Sequence, residues 1–163
     1  MVHVRIASLS VDAVTSQPVI ILKPADDEIM PGKLLPIWIG HPEATAILLA
    51  LQGMEPPRPM THDLLKNVIE TLEMQIERVE ITRVEEGTFF AAIILRGEER
   101  TIALDARPSD SIALAVRTYS PIFIDETVLE EAAVDEVLVE DEDDEVERFR
   151  EFLDHVDPSD FSS

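Results

Sequence analysis

Three prolines fall within seven residues at Met54-Glu-Pro-Pro-Arg-Pro-Met60, and neither a helix nor a strand runs through such a stretch. The segment therefore splits the chain into two halves that must each build their own elements. In the first half, residues 2–14 read as a strand. Val2, Val4 and Ile6 alternate with His3, Arg5 and Ala7 before the pattern drifts. Thr15-Ser-Gln-Pro18 is a turn, and Val19-Ile-Ile-Leu22 is a strand of the fully buried type. A polar loop, Pro24 to Lys33, leads to a third strand at Leu34–Ile39, where Pro36 points to a sheet edge. Gly40 ends that strand, and Pro42 suits the first turn of a helix whose body, Ala44–Leu51, is apolar nearly all round and so is buried.

The second half repeats the order. Thr61 is a candidate N-cap for a helix with Leu64, Leu65, Val68, Ile69 and Leu72 at helical spacing. Ile76 to Val84 is a strand, Glu85-Glu-Gly87 a turn, and Thr88–Leu95 and Arg100–Leu104 are strands about a turn at Gly97. Asp105-Ala-Arg-Pro-Ser-Asp110 then leads into an apolar helix, and Pro121–Ile124 is a last short strand. Ile39-Gly-His-Pro-Glu-Ala and Leu104-Asp-Ala-Arg-Pro-Ser-Asp occupy equivalent places, in keeping with an old internal duplication. The expected class is α+β: mostly antiparallel mixed sheet, about three core helices and a C-terminal amphipathic helix.

Charge divides the chain differently. Of the 34 Asp and Glu, 17 lie in residues 125–163 with only two Arg, so this segment carries −15 of the net −21. Glu140–Glu145 is an unbroken acidic run, expected to act as a linker. Beyond it Val146, Phe149, Phe152, Leu153 and Val156 share one helical face. Such a face does not stand alone in water and must pack on the core or on another chain. The organisation expected is a core domain over 1–133, an acidic linker over 134–145, and an amphipathic helix with its tail over 146–163.

Composition removes several classes of function. With no Cys there are no disulfides, thiolate metal sites or Cys nucleophiles. No apolar run approaches ~20 residues and no secretory leader is seen, so the expectation is a cytoplasmic protein without a membrane span. No basic face for duplex binding exists, and a polyanion is repelled at long range. Walker A, GxGxxG, GxSxG, HExxH and EF-hand patterns are missing.

The polar residues that remain cluster at strand ends and helix starts: His41 and Glu43; Arg58, Thr61, His62 and Asp63; Asp105, Arg107, Ser109 and Asp110. Helix N-termini favour phosphate. They equally favour Glu43, Asp63 and Asp110 as caps and dipole partners. His62-Asp63 joins a proton-transfer group to a carboxylate. Arg107 either clamps Asp105 or Asp110, or grips a phosphoryl oxygen bidentately. Arg58 is held between Pro57 and Pro59.

Taken together, Leu35-Pro-Ile-Trp-Ile-Gly40 with Glu43-Ala, Pro57-Arg-Pro-Met-Thr-His-Asp-Leu-Leu65, Gly87-Thr-Phe-Phe-Ala91, Asp105-Ala-Arg-Pro-Ser-Asp-Ser-Ile-Ala-Leu-Ala115 and Pro121-Ile resemble the bifunctional nuclease domain family over residues 2–130. Phe90 stands where Tyr is expected and Ser111 where Ala is expected. The resemblance implies a small α+β domain, oligomeric in at least some members, and cleavage of both RNA and DNA.

The function expected is phosphodiester hydrolysis on nucleic acid, preferably single-stranded, by a homo-oligomer. The expected catalytic set is His62, Asp63, Asp105, Arg107 and Asp110. Arg58, Thr61 and Ser109 would bind substrate. Glu43, Asp63, Asp105 and Asp110 would hold Mg²⁺ or Mn²⁺, which suit oxygen ligands. The competing expectation is a non-enzymatic oligomeric binding module whose acidic tail engages a partner. The missing basic strip favours this competing reading, and oligomerisation offers the nuclease reading one way to juxtapose Arg58, Arg83, Arg107 and Arg117 across subunits.

Overall fold

The computed structural model describes residues 1–136. The chain opens with an antiparallel meander of β1 (Val2–Val11), β2 (Pro18–Pro24) and β3 (Lys33–Trp38), followed by α1 (His41–Leu51). After α2 (Thr61–Thr71) a second meander, β4 (Gln75–Glu85), β5 (Thr88–Arg96) and β6 (Thr101–Ala106), is followed by α3 (Pro108–Thr118). The strand β7 (Ile122–Ile124), the helix α4 (Glu126–Ala132) and the two-residue strand β8 (Val134–Asp135) complete the described part.

All the described strands form one mixed sheet in the order β6-β5-β4-β7-β1-β2-β3-β8. The repeated strand-strand-strand-helix grammar of the sequence is thus a repeated topology, one meander on each side of β7. The strand β7 runs antiparallel to β1 and parallel to β4, and that is the one parallel pair among the described strands.

Local chemistry accounts for the details. The drift in the β1 pattern is a bulge between Ile6 and Ser8. The extra residue shifts the phase by one, so Ile6 before it and Leu9 after it both pack on the main core. Glu86 and Gly87 both have positive φ, at 50° and 78°, which is the turn that matches the twist of a two-residue hairpin. In β2, Ile20 and Leu22 enter the main core while Val19 and Ile21 join a smaller cluster with Leu34 on the other face. Pro36 pairs with Ile21 on one side, and β8 covers only Lys33 and Leu34 on the other, so the missing N–H falls on an open edge.

One main core lies between the sheet and the helices, with Ile20, Leu22, Leu35, Ile47, Val79, Ile81, Ile112, Leu114, Ile124 and Leu129 at its centre. The helices α1 and α2 both pack against α3, which itself lies over β4 and β5.

The expected α+β class holds, with four differences of detail. A fourth helix, α4, exists; it is only seven residues long, and Asp125 caps it by accepting from the Thr127 N–H at 2.9 Å. The short strand β7 is central to the sheet, although its sequence reads as a terminal fragment. Thr61 is the first helical residue of α2; the cap position is Met60, whose N–H donates to Asp63 Oδ2 at 3.0 Å. Val134 and Asp135, expected in the linker, pair with β3, and Asp135 forms an ion pair with Lys33 at 2.7 Å. The expected acidic run and C-terminal amphipathic helix lie outside the described residues.

Candidate active site

Three helices begin where strands or loops deliver polar residues. Pro42 and Pro108 occupy the first turns of α1 and α3, where the missing N–H costs nothing. Gly40 caps α1, and a Cβ there would collide with the Glu43 carboxylate. The glycine leaves room for Glu43 to fold back over its own helix start and meet α3.

The contact it makes is with Arg107. Arg107 Nη2 donates to Glu43 Oε1 at 2.9 Å, and its Nε donates to Asp110 Oδ2 at 2.8 Å. Asp110 Oδ1 in turn lies 2.8 Å from His62 Nε2. A continuous chain, Glu43–Arg107–Asp110–His62, therefore joins the first turns of α1, α2 and α3. His62 is buried, whereas Arg107 remains largely exposed, so the guanidinium has donors left to face an incoming group.

The electrostatics hold Arg107 and Asp110 in their charged forms. Burial pushes the Asp110 carboxyl up, but hydrogen bonds from Arg107 and His62, with the charges behind them, outweigh it and hold it below the usual carboxylate range. Arg107 is driven further toward the protonated form by its hydrogen bonds to Asp110 and Glu43. An ionised carboxylate only accepts, so the proton between the pair belongs to His62 Nε2. With Nε2 as the donor, Nδ1 carries the lone pair whenever the imidazole is neutral.

Asp63 does not join this chain. Burial raises its carboxyl, and this is overcome by hydrogen bonds from Arg117 and the Met60 N–H and by the charges of Arg117 and His62, so it too stays low. Arg117 was not expected at the site within one chain. A lone basic residue in the last turn of an apolar helix reads as a dipole partner, and only the packing of α2 on α3 shows that its Nε reaches Asp63 Oδ1 at 2.8 Å.

Asp105 is the clearest departure from expectation. The strand β6 continues through Ala106, so Asp105 is a ladder residue and not part of a turn. Its neighbours Leu104 and Ala106 pair with Ile93 and Ala91, which enter the main core, while Asp105 pairs with Ala92. Strand alternation therefore turns Asp105 to the sheet face away from the helices. Ser109 is buried in the first turn of α3, and Thr61 is exposed at the start of α2. Arg58 is exposed in the proline segment and has no ion pair among the described residues.

No three His, Asp or Glu side chains among the described residues are placed to hold a metal ion. Arginines engage Glu43, Asp110 and Asp63, and Asp105 lies on the opposite face. The residues that depart from the family pattern are accommodated elsewhere. Ser111 Oγ donates to the Arg107 carbonyl at 3.0 Å, and Phe90 carries the Arg83 guanidinium 3.8 Å above its ring.

A mixed-sheet α+β domain thus gathers an arginine, a histidine and carboxylates at three helix starts. The chain belongs to the bifunctional nuclease domain family, whose sequence model matches residues 20–137. It is similar to an uncharacterized protein of Mycobacterium tuberculosis, 43% identical over 173 aligned positions that cover all of this chain and 99% of the relative. It is also similar to Bifunctional nuclease 1 of Oryza sativa subsp. indica, 31% identical over 98 residues. Bifunctional nuclease 1 of Arabidopsis thaliana is 28% identical over 108 residues. These matches cover 58% and 64% of this chain but only 30% and 32% of the plant proteins. Among the described residues no helix is long and apolar enough to cross a membrane.

Proposed function

We propose that this domain hydrolyses phosphodiester bonds in RNA and DNA, acting on single-stranded or flexible segments. The observation that carries the reading is the Glu43–Arg107–Asp110–His62 chain, in which Asp110 contacts both a histidine through Nε2 and an exposed, always-charged arginine. In this reading Arg107, with Arg58 from the proline segment, holds the non-bridging oxygens of the phosphate. His62 Nδ1 takes the proton of the attacking water as its oxygen bonds to phosphorus. Asp110 stabilises the imidazolium that results. The phosphorus–oxygen bond to the leaving nucleoside breaks, and that oxygen is protonated by solvent. Flexible strands suit an acidic domain, because one phosphate can enter a local site without a basic track beside it.

A second reading is kept because one observation favours it: each carboxylate of the chain is already satisfied by a partner within the protein. In that reading the cluster locks three helices together, and the domain is an oligomeric binding module.

The deciding assay is cleavage of single-stranded RNA and DNA by highly purified protein in Mg²⁺, in Mn²⁺ and in EDTA. His62→Ala, Asp110→Asn and Asp105→Ala proteins are purified identically. Nuclease action predicts loss in the first two and retention in Asp105→Ala. Equal activity in all four proteins marks a contaminant, and no activity in any supports the binding module.

A further inference from the structure

The helix α2 buries one narrow side and leaves most of its apolar residues exposed. His62 and Ile69 are buried, while Leu64 is 57% exposed, Leu65 40%, Val68 44% and Leu72 68%. At 100° per residue these four centre about a quarter turn from the buried side. Leu65, Val68 and Leu72 follow the i, i+3, i+7 spacing of a helix-packing seam. Lys66 and Glu70 on the same helix pair with each other at 3.1 Å. A strip of this kind on a monomer marks a contact surface.

We propose that the strip is covered by this chain's own C-terminal segment, residues 146–156. Val146, Phe149, Phe152, Leu153 and Val156 share one helical face in sequence and need an apolar partner of about three turns, of which Leu64 to Leu72 offers about two and a half. The reach is sufficient. The described chain ends at Glu136 beside Gly32, past β8 at one end of the sheet. The helix α2 packs on α3 and β4, and β4 is five strand spacings, about 24 Å, from β8. Residues 137–145 span up to about 30 Å when extended. Charge and tethering favour the same chain over a second copy. Two molecules of net charge −21 repel, whereas a short tether gives an effective concentration on the order of millimolar.

The test uses the full chain and the fact that it has no Cys. Leu72→Cys is compared with Val14→Cys, a position 93% exposed in the β1–β2 turn, for its rate of reaction with a bulky maleimide. Docking predicts at least tenfold slower labelling at position 72 in a monomeric protein, with the rate restored to that of position 14 by Phe149→Ser/Phe152→Ser. Equal rates in the parent background overturn the proposal. So does slow labelling that survives the double substitution. Protection that appears only in a dimer and fades on dilution assigns the strip to a second copy and overturns it equally.

Discussion

Arg117 Nε donates to Asp63 Oδ1 at 2.8 Å while its Nη1 donates to the Ala113 carbonyl at 2.8 Å, so the last turn of α3 holds the first turn of α2. This pair sets where His62, the neighbour of Asp63, stands against Asp110. Removing one partner leaves the other charge half-buried without its counterpart. Arg117→Ala is therefore expected to cost about 2–3 kcal/mol of stability, less than for a fully enclosed pair. Urea unfolding measures it, and Asp63→Asn should cost less because the amide still accepts one hydrogen bond.

Asp63 and Asp110 are both held below the usual carboxylate range in the folded protein. The sign follows from linkage: protons bind the unfolded chain more readily, so their stabilisation is complete above the unfolded value of about 3.9 and is lost as pH falls through the lowered folded values. The urea midpoint is expected to fall steeply below about pH 4. Asp63→Asn/Asp110→Asn should flatten that fall; an unchanged slope would mean that other carboxylates dominate it.

His62→Gln and Asp110→Asn are expected to lower cleavage by about 10²–10⁴, the range for a proton-transfer group and the residue that fixes its tautomer. Circular dichroism and urea midpoints on the same preparations separate this loss from misfolding. Retained activity in Asp110→Asn would dissociate the tautomer from the chemistry.

Arg58 is exposed and free of ion pairs among the described residues, so Arg58→Ala should leave stability within about 0.5 kcal/mol of the parent. Its effect should appear as a higher KM with a shallower salt dependence, as one phosphate contact is lost. An Arg58→Ala protein with unchanged KM would remove the proline segment from the substrate path.

Gly40→Ala tests the fold-back of Glu43. The added Cβ meets the carboxylate end of a movable side chain, so the carboxylate is pushed off Arg107 and the backbone stays in place. The expected loss is about 1 kcal/mol, and it should vanish in a Glu43→Ala background. A thermodynamic cycle of the two substitutions reads this directly.

Much of this architecture was legible before the structure. Hydrophobic alternation, the Glu86-Gly87 turn and the prolines at helix starts are local signals, and they located both meanders and the first three helices. What was not legible depends on contacts far apart in sequence. His62 and Asp110 are 48 residues apart and Arg107 and Glu43 are 64 apart, so the residue types could be chosen but not their partners. Asp105 was misplaced by two residues of strand length, enough to send a side chain to the other face. The helix α4 is too short to show a period, and β7 takes its importance from its neighbours more than from its own three residues.

The position of β7 also dictates an order of events during synthesis. Among the described residues the two meanders are joined in the sheet only through Ile122–Ile124, which emerge after everything else in both. Until then the first meander presents β1, and the second β4, as open edges with a full row of unpaired backbone groups. Closure of the sheet is a late, non-local step, and the interval before it is when a nascent chain can pair with the wrong neighbour.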